Sequence, residues 1–237
     1  MIKYFCKNCN NLICETSVCP VCGQRTNIYK MEIYWCEHCG IPTFNKKCSI
    51  CNSEGKYIGT TDLPLCEEGE DAISSLAALD VYPKVQKVYS SPLKRCLQTA
   101  DIIYPERLLK RIDGIAELDF GEYEGKTQAE LQSDEKYLEW LKGGYDAAPP
   151  KGESYGHFTL RCLEGLEEIF KDMMANEVTS AAVITHSGVI MNLLSGYGLP
   201  KMKPIDFACN QGEGFEIQLS TFLWQHGPVF EIVGKLF

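Results

Sequence analysis

The sequence predicts a three-layer α/β/α domain preceded by two small metal-stapled modules, and three observations predict it. Strand-like and helix-like segments alternate from residue 69 to the C-terminus, as in a sheet covered by helices on both faces. Nine of the 13 cysteines fall in the first 51 residues, eight of them in four Cys-x-x-Cys pairs. Charge divides at the same place: residues 1–58 carry 7 Lys/Arg and 4 Asp/Glu, net +3, whereas 59–237 carry 16 and 28, net −12, which together make the −9 of the chain. The organisation read from these breaks is a first module over 1–29, a second over 30–58 and one large domain over 59–237. A region of that size buries a core of its own, whereas modules under 30 residues need a staple.

The first module pairs Cys6/Cys9 with Cys19/Cys22, and the second pairs Cys36/Cys39 with Cys48/Cys51. Each Cys-x-x-Cys places two thiolates on one tight turn, and two facing turns supply the four soft ligands of a tetrahedral zinc site. Two zinc ribbons with two structural zinc ions are therefore expected; four thiolates would also suit iron. Cys14 lies mid-spacer and reads as a packing thiol. The N-terminus lacks the apolar stretch of a secretory signal, so disulfides have no support and a cytoplasmic setting is expected. No apolar run approaches the ~20 residues of a membrane span. Lysines and aromatics interleave in this segment, which suits a protein partner, while +3 is too slight for a nucleic-acid footprint and −12 downstream argues against one.

Within the large region, residues 69–79 carry apolar positions Ala72, Ile73, Leu76, Ala77 and Leu79, an amphipathic helix. Residues 85–89 read as a strand running into Ser90-Ser91-Pro92, and 93–103 as a helix with proline near N1. Residues 130–141 and 154–174 continue as helices, the second with Ser154 as N-cap. The apolar run 181–185 suits a strand buried on both faces. Residues 215–220 and 229–233 read as a closing hairpin around Gln225-His226-Gly227, and the Gly/Pro-rich stretch 141–152 as a mobile flap.

Ligands of open α/β sheets bind at the carboxyl ends of strands, and two such ends are chemically pointed here. Arg95 stands in the first turn of the helix after one strand; His186-Ser187-Gly188 follows the other, with Gly188 letting the next helix begin close by. An arginine and an imidazole at adjoining strand ends make an anion site. The run Ser90-Ser91-Pro92-Leu93-Lys94-Arg95, with Glu117-Leu118-Asp119-Phe120-Gly121, Gly152-Glu153-Ser154, Ile184-Thr185-His186-Ser187-Gly188 and the upstream Gly59-Thr60-Thr61-Asp62-Leu63-Pro64-Leu65, resembles the histidine phosphatase superfamily, the phosphoglycerate mutase-like fold, over about residues 56–237. The resemblance implies phosphoryl transfer through a phosphohistidine on a small phosphorylated substrate, a phosphomonoester. By position it makes Arg95 a clamp arginine, His186 the second histidine, Glu117 the general acid and Ser91 a donor toward the phosphate.

One motif of that family is missing. Its first strand ends in Arg-His-Gly, the nucleophile and another clamp arginine, and the ungapped position holds Asn45-Lys46-Lys47. An eight-residue insertion brings His38 to the nucleophile's place and Glu37 to the arginine's. His226 reads as a turn residue and His157 as part of a helix's first turn. Leaving that strand out would expose the edge of 181–185, a slot that 30–36, the second ribbon or a partner chain could fill. Two functions follow: a phosphatase-like enzyme, or a pseudophosphatase whose scaffold binds a phosphorylated ligand while the ribbons bind a partner.

Overall fold

The computed structural model describes residues 56–236 in full and, upstream of them, the backbone of five strands. These are β1 (Ile2–Cys6), β2 (Leu12–Ile13), β3 (Ile28–Glu32), β4 (Tyr34–Cys36) and β5 (Ile41–Thr43). β1 pairs antiparallel with β2 and β3, and β4 with β5. Lys30 lies opposite Tyr4 and Trp35 opposite Pro42, so the stretch 30–36 is divided between two small sheets and does not fill the slot in the large one. Cys9, Cys14, Cys19, Cys22, Cys39, Cys48 and Cys51 and the candidate nucleophile His38 lie outside the described residues; for Cys6 and Cys36 only the backbone is described.

The large domain runs α1 (Glu67–Ala78), β6 (Lys87–Ser90), α2 (Lys94–Ile103), β7 (Leu109–Arg111), α3 (Gln128–Leu131), α4 (Glu135–Leu141), α5 (Tyr155–Ala175), β8 (Ala181–Ile184), α6 (Ser187–Tyr197), β9 (Gly198–Leu199), β10 (Gly214–Gln218), α7 (Thr221–Trp224) and β11 (Phe230–Leu236). Most elements lie where periodicity puts them. α5 buries Phe158, Cys162, Leu166 and Ile169, a single stripe at helical spacing, and Ser154 Oγ accepts its cap bond from the N–H of His157 at 3.2 Å. The helix expected over 130–141 is two helices, because the carboxylate of Asp134 accepts from the N–H of Lys136 at 2.8 Å and starts α4 afresh. Pro92 precedes Leu93, the N-cap of α2, and is not its first helical residue. The closing hairpin is β10 with β11, joined through the short α7.

β6 is the centre of a parallel sheet ordered β7-β6-β8, in which Ser90 lies opposite both Arg111 and Ile184. Three strands thus end level with one another, and whatever follows each of them shares one edge. A second sheet, β10-β11-β9, packs into the same core cluster as Tyr89, Val189, Leu194 and Phe230. Among the described residues no strand joins the two sheets, and β8 pairs only with β6. Val183 is accordingly 38% exposed, so the run 181–184 is not buried on both faces; the open edge is the one the family's Arg-His-Gly strand would cover. The expected flap is tied at its far end, where Tyr145 and Ala147 carbonyls accept from the N–H groups of Gly156 and Tyr155.

Candidate active site

The loop after β6 and the loop after β8 meet over the strand ends. Arg95, on the first turn of α2, donates from Nε to His186 Nδ1 at 3.3 Å. Its other donors reach main-chain carbonyls, Nη1 to Thr61 at 3.1 Å and Nη2 to Gly59 at 2.8 Å. With Nδ1 accepting, the neutral imidazole carries its proton on Nε2, which lies 2.8 Å from Ser91 Oγ. Ser91 is 0% exposed. Its oxygen accepts from the Nε2–H and so orients the imidazole.

Glu117 is buried on the other side of His186. Its carboxylate accepts from its neighbour Leu118 N–H at 2.9 Å and from Gly188 N–H, at the start of α6, at 3.2 Å. Burial pushes this carboxyl above the ordinary glutamate range, against the pull of those two N–H groups and of Arg95 and Arg161. A carboxyl that holds its proton more tightly than usual suits a general acid. Gly188 has a steric reason as well: a Cβ there would lie 2.3 Å from Glu117 Oε1. Arg95, Glu117 and His186 line one wall of a cavity whose other wall is Leu65, Ile73 and the 209–213 turn.

Cys96 also faces the cavity, with Sγ 3.4 Å from His186 Nε2. Burial pushes its thiol up to about 12, so it is an apolar wall atom and not a nucleophile. His157 pairs with Glu153 at 2.7 Å, and His226 Nδ1 meets the Phe222 carbonyl at 2.8 Å at the end of α7. Neither lines the cavity.

Two residues given no role in the sequence reading, Arg161 and the Glu124 that closes the run begun by Glu117, hold the site together. Arg161, on α5, donates to the carbonyls of Gly114, Ala116 and Glu117 at 2.8–2.9 Å and grips both oxygens of Glu153 at 2.7 Å. Burial opposes it, yet the Arg161 fork and His157 hold the Glu153 carboxyl below its ordinary range. The turn that presents Glu117 is thereby tied to α5 by a bidentate, charge-assisted pair. The signal in the sequence was Glu153 within Gly152-Glu153-Ser154, just before the N-cap of the helix that carries Arg161. Glu124 is the second; its carboxylate accepts from the backbone of the 59–61 loop.

The chain is 26% identical over 152 residues to the adenosylcobalamin/α-ribazole phosphatase of Salmonella typhimurium, covering 61% of this chain and 72% of that one. It is 30% identical over 157 residues to a 2,3-bisphosphoglycerate-dependent phosphoglycerate mutase of Rhizobium etli, with 61% and 73% covered. Among solved structures, the α-ribazole phosphatase of Shigella flexneri shares the fold at a TM-score of 0.64 and 22% identity, covering 77% of this chain and 88% of that one. Phosphoglycerate mutase of Thermus thermophilus superposes at 0.55 and 26%, covering 78% and 90%. The sequence profile of the histidine phosphatase superfamily (branch 1) matches residues 48–219. By that match over more than half of its length, this chain belongs to the histidine phosphatase superfamily.

Proposed function

We propose that this phosphatase-like protein acts on a small phosphomonoester, with the remaining N–H donors of Arg95 holding the phosphoryl oxygens, His186 fixing the guanidinium at its Nε, and Glu117 giving its proton to the leaving oxygen. The observation that carries the reading is the convergence of a guanidinium, an imidazole and a buried carboxyl with a raised pKa on one cavity at the strand ends. Phosphoryl transfer asks mainly for positioning and charge stabilisation, and these three groups supply both. Ser91 keeps the imidazole in its orientation. The attacking group belongs to the segment upstream of residue 56, where His38 is the candidate. Two zinc ions, each held by four cysteines, would staple that segment: Cys6 and Cys36 end β1 and β4, and each of these strands pairs with the next strand along the chain, as ribbon knuckles require. Metal analysis of the purified protein should find two zinc ions per chain, with iron in their place as the contrary result.

A second reading has its own observation. Arg-His-Gly is missing, and Glu37 would stand where the family keeps a cation, which favours a pseudophosphatase that binds a phosphorylated ligand while its ribbons bind a protein partner. Phosphate release from a panel of small phosphomonoesters, compared between the zinc-loaded protein and its His186→Ala variant, decides between the two. Release that depends on His186, with a trapped phosphohistidine, supports the enzyme; no release from any compound overturns it.

A further inference from the structure

We infer that Glu124 is a positioning residue for Arg95, acting through the backbone of residues 59–61; the inference rests on the oxyanion site proposed above. Glu124 does not line the cavity. Its Oε1 accepts from the N–H groups of Gly59 at 2.9 Å, Thr60 at 3.1 Å and Phe120 at 3.2 Å. Its Oε2 accepts from the N–H of Thr61 at 3.3 Å and from the Thr61 hydroxyl. Three consecutive N–H groups of one loop thus turn toward a single carboxylate, and the carbonyls of Gly59 and Thr61 are left to face Arg95.

That division matters because of what it does to the guanidinium. Arginine has five N–H donors, and in Arg95 three are committed, to Gly59, Thr61 and His186. Two remain, the number a bidentate grip on a phosphoryl group uses. The two carbonyls hold the fork in one plane before any ligand arrives, so its orientation costs nothing at binding. The loop is braced at its other end too, where Asp62 Oδ1 accepts from the N–H of Lys94 at 2.6 Å, next to Arg95. Gly59 has no room to shift, since a Cβ there would lie 1.7 Å from the Leu118 carbonyl oxygen. Without the Glu124 charge, the three N–H groups lose their common acceptor, the loop turns, and the carbonyls leave Arg95.

Calorimetric titration of the full chain with inorganic phosphate tests this. Glu124→Gln should bind about tenfold more weakly, the effect of losing one well-made charge-assisted contact. In an Arg95→Lys background, which keeps the charge but not the fork, Glu124→Gln should weaken binding by less than about twofold, because the two changes act on one element. Thr61→Val, which removes only the hydroxyl donor and carries little folding risk, should cost about two- to threefold. Equal phosphate affinity in wild type, Glu124→Gln and Thr61→Val overturns the inference alone, and so does an undiminished loss in the Arg95→Lys background. A wild-type protein that binds no phosphate overturns the oxyanion site and this inference with it.

Discussion

Two clusters of partly buried charge sit on the same parallel sheet, and they are built in opposite ways. Where α5 covers the sheet, Asp172 is closed on every side: it accepts from Lys87 at 2.5 Å, Tyr89 at 2.7 Å and Lys110 at 3.1 Å. Lys87 and Asp172 are only 11% and 17% exposed there, so each charge has its counter-charge and nothing remains for a ligand. At the strand ends, Arg95 and Glu117 are not paired with each other. Arg95 is held by carbonyls and an imidazole, and Glu117 by backbone N–H groups. The neutral partners of Arg95 orient its charge without cancelling it, which leaves its field for a substrate. The first cluster locks a helix onto a sheet; the second leaves N–H donors of Arg95 uncommitted.

Substitutions in the two clusters should therefore separate function from stability. Arg95→Ala should lower kcat/KM for phosphomonoester hydrolysis about 10³-fold, as loss of a transition-state donor does, with the midpoint of urea unfolding nearly unchanged. Asp172→Ala should do the reverse. It strips two lysines and a tyrosine of their acceptor and should cost about 3 kcal/mol of unfolding free energy, the low end for breaking a buried pair because the cluster is partly exposed, with kinetic constants close to wild type.

Acid should reveal the same contrast. Asp172 is held well below the ordinary carboxylate range, chiefly by its bonds from Lys87 and Tyr89. Its contribution is present above the unfolded-state value of about 3.9 and is lost as pH falls through the folded one, so stability should decline below about pH 4. That decline should flatten in Asp172→Asn. Glu117 has the opposite sign: raised by burial, it favours the folded state at pH below its unfolded value and gives that advantage up as pH rises through its folded value. Glu117→Gln should then lower kcat about 10²-fold, remove the alkaline limb of the pH–rate profile, and leave stability at pH 7 no lower than wild type. The smallest change, Gly188→Ala, should displace the Glu117 carboxylate and reduce kcat about tenfold, measured beside an unchanged circular dichroism spectrum.

Much of the fold was legible because it rests on local rules. The stripe of α5, the apolar run of β8 and the Ser154 cap are periodicity and capping, and each lies within a residue or two of its expected place. Arg95, Glu117 and His186 were legible through motif order. β7 escaped notice because Leu109-Lys110-Arg111 is too short and polar to signal a strand by itself; it forms because β6 offers it an edge. The break between α3 and α4 was missed because Asp134 can cap a helix as well as sit inside one, and only the chain's direction decides which. Arg161 and Glu124 carried no label, since their partners are main-chain carbonyls and N–H groups that sequence does not bring together.

By itself the sequence determined the change of charge at residue 58, the Cys-x-x-Cys spacing of eight cysteines, the alternation of helix and strand, and the family motifs, since all of these are written in composition, spacing and order. Tertiary structure alone decided the rest. It joined Ser91 to His186, left the edge of β8 open among the described residues, and aimed the carbonyls of Gly59 and Thr61 at Arg95. The physical reason is that a hydrogen bond is set by distance and direction between groups 30 to 95 positions apart, and these exist only once the strands have ended level and brought their loops together.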